Sequence, residues 1–160
     1  MNKNIDYVPT LTLPLILIEN SNGYSSQTRE RKKIDISGFP EEIGTYIIRY
    51  QQHPIPRLIG TSPILKIGCT TDSFRKRFNN YNHQSDMTIP DVDLYEKLKL
   101  RTQKTNIRIM YFLSHHKHQD EIVIDFYFST LDEPKSLEYK LIKNYMESHG
   151  ELPPLNFGMK

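Results

Sequence analysis

The chain has almost no cysteine: Cys69 stands alone among 160 residues. An internal disulfide framework is thereby excluded, and a reducing compartment suits the composition. Glycine is scarce, at 7 residues, while charged and aromatic residues are plentiful. That balance excludes collagen-like and wholly disordered classes. Excess charge is lacking too. A net charge of +2 is too small to draw the chain to a polyanion in bulk, so any nucleic-acid contact must come from local arrangement of basic residues. Long apolar runs are missing as well. The longest, Leu11 to Ile18, is interrupted by Pro14 and is far too short to span a bilayer. The first residues, Met1 to Tyr7, lack the apolar stretch of a secretion signal, so the expected location is cytoplasmic, with no membrane contact.

The length suits a domain with a core of its own. Residues 1–40 read as an N-terminal appended segment and 41–160 as the main domain. Thr10 to Glu19 reads as an apolar strand that Pro14 confines to an edge or a bulge. The basic run Arg29 to Lys33 reads either as a solvated loop or as a phosphate contact. Thr45–Tyr50 and Ile64–Cys69 are rich in β-branched and aromatic residues and apolar at nearly every position. With Pro54, Pro56 and Gly60 between them, they predict an antiparallel hairpin with a long tip, covered on both faces. A helix over Asp72–Tyr81 follows, capped by Thr71 or Asp72, with Phe74, Phe78 and Tyr81 on one stripe. A second helix is expected from Val92 to about Thr102. Ile107–Leu113 and Ile122–Phe128 read as strands around the polar turn His115–Asp120. Pro134 opens and Gly150 closes a last helix. The expected class is α+β, a small antiparallel β-sheet flanked by helices.

Three charges interrupt this pattern. Glu138 falls among Leu137, Leu141, Ile142 and Tyr145 on the apolar face of the last helix, with Lys140, Lys143, Asn144 and Glu147 opposite. A carboxylate there requires compensation, from a core arginine in a structural ion pair or from a metal ion or substrate. Lys66 is the one charge in Ile64-Leu65-Lys66-Ile67-Gly68. It either snorkels from an edge position or is desolvated with a lowered pKa. Arg77 shares the side of Phe74 and Tyr81, from which a guanidinium presents a fixed fork to a phosphate.

In order along the chain, Gly44-Thr45-Tyr46, Lys66-Ile67-Gly68, Arg77, Glu138 and Pro153-Pro154-Leu155-Asn156 resemble the GIY-YIG nuclease superfamily. The resemblance covers about Gly44 to Asn156. Lys66 stands where the family usually has tyrosine, as in its restriction-type and phage-encoded branches. The resemblance implies an endonuclease that hydrolyses DNA phosphodiesters with one divalent ion, Mg2+ or Mn2+. Tyr46 would be the general base, with Lys66 supplying the positive charge that favours a phenolate, because desolvation alone opposes it. Arg77 would hold the scissile phosphate and Glu138 the metal. Asn156 would either bond the phosphate or fix the tail. A homodimer follows if each domain carries one site and both strands are cut. A catalytically silent DNA-binding module and a repair or RNA-directed nuclease are the alternatives.

Other residues read more plainly. His83 is a loop histidine. His115, His116 and His118 lack the partner ligands of a zinc site. Cys69 and Tyr81 read as packing.

Overall fold

The computed structural model describes residues 7–20, 31–99, 103–116, 121–129 and 133–156. Its elements, in chain order, are β1 (Leu11–Pro14), β2 (Leu17–Glu19), β3 (Lys32–Ile34), β4 (Gly44–Tyr50), β5 (Ile55–Pro56), β6 (Thr61–Ser62), β7 (Ile64–Thr70), α1 (Phe74–Tyr81), a 3-10 turn (Asn82–Thr88), α2 (Leu94–Lys99), α3 (Lys104–His115), β8 (Ile122–Phe128) and α4 (Pro134–His149). The main sheet is antiparallel with strand order β1-β8-β4-β7, and helices flank it: an α+β fold.

The expected hairpin is β4 and β7, with Tyr46 opposite Gly68 and Ile48 opposite Lys66. Its long tip folds back on itself as the short β5–β6 pair. Both faces of the hairpin are covered, which explains its lack of polar alternation. Tyr46, Ile48 and Tyr50 face a core shared with Phe74, Phe78, Ile109 and Met110 of α1 and α3. Ile47 and Ile67 face Ile142 and Tyr145 of α4. Among the described residues, no helix is long and apolar enough to cross a membrane.

Several local expectations differ from the structure. The apolar stretch Thr10–Glu19 is not one strand. Pro14 has no amide hydrogen to donate, and the chain passes from β1, on the edge of the main sheet, to β2, which pairs with β3 in a separate ribbon. The residues expected as an appended segment thus supply a strand of the main sheet, and Leu15, Ile34 and Phe39 lie in the larger core.

Ile107–Leu113 is helical, not extended, and belongs to α3. Its β-branched composition favours a strand, yet burial of Ile107, Met110 and Leu113 follows a spacing of three residues, which only a helix turns toward one core. His115 ends α3 and His116 caps it, so the expected turn begins later; residues 117–120 lie outside the described ones. The cap of α1 is Ser73, whose side chain accepts from the Lys76 amide at 3.0 Å, rather than Thr71 or Asp72. The second helix starts later than expected, at Leu94, and residues 100–102, over which its end was expected, lie outside the described ones. α4 has the expected bounds, with Pro134 in its first turn and Gly150 left-handed at its end.

Candidate active site at the edge of β7

Each residue of the two triplets has a physical reason for its identity. At Gly44 a Cβ would lie 2.0 Å from the Tyr127 carbonyl oxygen, so a side chain there would break the β4–β8 pairing. Thr45 points to the other face, where its hydroxyl donates to the Pro134 carbonyl at 2.8 Å and ties down the first turn of α4. Tyr46 lies across Gly68: a Cβ on Gly68 would sit 2.4 Å from the phenol oxygen. Glycine is therefore required opposite the tyrosine, to leave space for its ring. Ile67 packs against α4. Its backbone amide and carbonyl are both bonded at 2.9 Å by the side chain of Asn156, which covers the edge of β7 that no strand pairs. Of the two roles considered for Asn156, its contacts fill the one of fixing the tail.

The phenol of Tyr46 is fully buried, with 0% exposure, and meets the equally buried Tyr81 hydroxyl at 2.6 Å. Tyr81, read from sequence as packing, does lie in the core, and it adds a hydroxyl contact that the sequence pattern did not show. Its position one turn beyond Arg77 on the same side of α1 was the available signal. Burial first, then the Tyr46 oxygen, push Tyr81 well above a free tyrosine, against the pull of Arg77. Tyr81 thus keeps its proton and can donate it into the contact.

Arg77 completes this group. Its Nε lies 3.4 Å from the Tyr46 hydroxyl, and its guanidinium stands 5.0 Å above the centre of the Tyr81 ring. Burial opposes its charge, but the facing Tyr46 and Tyr81 oxygens outweigh that penalty and raise its pKa. The cation beside the phenol is therefore Arg77. The expected pairing of Tyr46 with Lys66 is not formed, because the register sets Lys66 opposite Ile48, one pair along the same face.

Lys66 is 6% exposed. Its pKa is lowered to about 8, by burial first and then by repulsion from Arg77, with Glu138 opposing and Arg108 adding to the repulsion. The lysine is desolvated, as one of the two sequence readings had it. Glu138 belongs to α4, which packs on the opposite face of the sheet, and its carboxylate reaches the edge of β7 beside Cys69. Burial first, then a hydrogen bond to that carboxylate, push the Cys69 thiol up to about 12, so it stays protonated and non-nucleophilic at neutral pH. Among the described residues Glu138 makes no ion pair, with a core arginine or otherwise.

The donor set bears on metal binding in a definite way. No group of three or more histidine, cysteine, aspartate or glutamate side chains gathers among the described residues. A half-buried carboxylate without an ion-pair partner among the described residues, near the cationic Lys66 and Arg77, suits a magnesium-type ion. Such an ion takes one or two carboxylates and fills its remaining positions with water and phosphate.

No protein-family profile matches the chain. No curated protein matches it either. Among solved structures it is similar to the restriction endonuclease HPY188I in complex with product DNA, at 20% identity over 88% of this chain and 76% of that one, with a TM-score of 0.37. A likeness that distant leaves the functional assignment to the residues themselves.

Proposed function

We propose that this chain is a GIY-YIG-type endonuclease that hydrolyses DNA phosphodiesters, with Tyr46 as general base. The supporting observation is the grouping, at one edge of the sheet, of a phenol with two hydrogen-bonding neighbours, a desolvated amine and a carboxylate without an ion-pair partner among the described residues.

The Tyr46 hydroxyl has two hydrogen-bonding neighbours, the Tyr81 hydroxyl at 2.6 Å and the Arg77 Nε at 3.4 Å. Because Tyr46 has no exposed surface, water reaches its oxygen only when a covering group moves. Arg77 is the half-exposed member of the trio. Its shift onto a substrate phosphate uncovers the phenol and places the guanidinium where negative charge develops. Lys66 shares that charge from the neighbouring register position. A divalent ion on Glu138, Mg2+ or Mn2+, would stabilise the departing 3′ oxygen when bound. Asn156 and Thr45 act at one remove, by holding the Lys66 strand and the Glu138 helix.

A second reading, a silent DNA-binding module on the same scaffold, is favoured by the full burial of Tyr46 and Tyr81. A plasmid-nicking assay decides between them. The purified chain should nick supercoiled DNA only with Mg2+ or Mn2+, and Glu138→Ala should abolish nicking while DNA binding persists. Binding without cleavage by the wild type, across duplex, branched and RNA substrates and both ions, would give the silent module the case.

A further inference from the structure

The tail that flanks Lys66 also forms one side of a second hollow. The Leu155 amide donates to the Leu65 carbonyl at 2.9 Å, and Arg108 Nη2 donates to the Pro154 carbonyl at 2.7 Å. Beyond them opens a hollow of about 410 Å³ whose wall includes Arg108, Tyr111, Phe112, His115, His116 and Leu155. Its link to the candidate active site is the Leu155–Leu65 bond, since Leu65 precedes Lys66 on β7.

The rest of the wall is the last turn of α3. His115 lies flat on Tyr111, with ring centres 4.1 Å apart and planes at 14°, and His116 lies on Phe112 at 4.4 Å and 3°. His115 is exposed yet held in place: its Nδ1 meets Ser114 Oγ at 2.7 Å and the Tyr111 carbonyl at 2.9 Å. A ring kept flat at the surface costs little ordering when another ring stacks on it. Unstacked bases bind on such aromatic and histidine faces, while an arginine fork takes the attached phosphate. Stacking within α3 would stabilise the helix end by itself, but it has no need of an open hollow bounded by a guanidinium.

We propose that this hollow holds one unpaired deoxynucleotide next to the phosphate bound by Lys66 and Arg77, with its base against His115 and its phosphate on Arg108. The proposal rests on the nuclease reading and narrows its substrate: the strand is unstacked beside the point of cleavage, so bulged or gapped duplexes bind better than perfect ones.

The test uses duplex oligonucleotides that carry 2-aminopurine either paired with thymine or in a one-nucleotide bulge. They are titrated with the full chain in EDTA, where no strand is cut. The bulged duplex should bind about tenfold more tightly, with the fluorophore quenched by stacking, a preference at the lower end of what one base stack supplies. His115→Ala and Tyr111→Leu should each bring the two affinities within about twofold of one another. Equal affinities for the wild type, a preference that both variants keep, or no binding to either duplex overturns the proposal. Metal-dependent nicking by the same preparations separates the two claims. Nicking without the preference removes the nucleotide site and leaves the nuclease; the preference without nicking does the reverse.

Discussion

Tyr46 and Tyr81 share a single short contact, and the two hydroxyls have different tasks in it. Tyr46→Phe removes the proposed base. It should slow single-turnover nicking by about 10²- to 10⁴-fold, the usual worth of general acid–base catalysis, with DNA affinity nearly unchanged. Tyr81→Phe removes only the hydroxyl bonded to the proposed base, and a loss of about tenfold is expected, roughly one hydrogen bond. Equal losses for the two variants would assign the base wrongly. Lys66 makes a prediction of another kind. Its pKa falls from 10.5 in the free side chain to about 8 in the fold. Between those values the unfolded chain holds a proton that the folded chain has released, so raising the pH favours the folded state. Stability measured by denaturant titration should therefore rise across that window relative to Lys66→Met. The comparison with the variant is essential, because the raised thiol of Cys69 acts in the opposite direction above its free value of 9.0.

At the scale of elements, the edge of β7 is held by the tail, through the Leu155 amide and the Asn156 side chain, rather than by another strand. Asn156 bonds both backbone groups of Ile67, between Lys66 and Gly68. Asn156→Ala should destabilise the fold by about 1–3 kcal/mol, because two buried backbone groups lose their partners. It should also speed hydrogen exchange at the Ile67 amide more than at Ile47 in the sheet centre. Uniform exchange changes would refute the local role. Two element-scale features escaped the sequence reading for related reasons. In α3, residues of strand-forming type follow a helical burial spacing, and the core outweighs intrinsic preference. In Thr10–Glu19, one apolar run serves two sheets because Pro14 interrupts its hydrogen bonding.

At the scale of the whole molecule, the candidate site straddles an edge. Tyr46, Lys66 and Arg77 lie on the face covered by α1 and α3, whereas Glu138 comes round β7 from the helix on the other face. The link across the sheet is Thr45, beside Tyr46 in sequence and bonded to the start of α4. Thr45→Val keeps the volume but loses that bond. It should raise the Mg2+ concentration for half-maximal nicking several-fold, with only about 1 kcal/mol of lost stability, read by thermal melting. An unchanged metal requirement would show that α4 holds Glu138 without this tether.

The hairpin, the first and last helices and the order of the motif residues were legible along the chain, because local periodicity and capping residues carry that information without reference to distant partners. So was the anomaly of Glu138 and Lys66, since an unneutralised charge among apolar residues is visible wherever helix or strand spacing is regular. Which cation faces Tyr46, that Tyr81 shares its hydroxyl contact, and that Asn156 closes the sheet edge were decided only by the tertiary structure. These depend on strand register and on contacts between residues 31 to 89 positions apart, such as Arg77 with Tyr46 and Asn156 with Ile67. A shift of one pair in register exchanges the neighbours of every side chain and leaves the sequence pattern untouched.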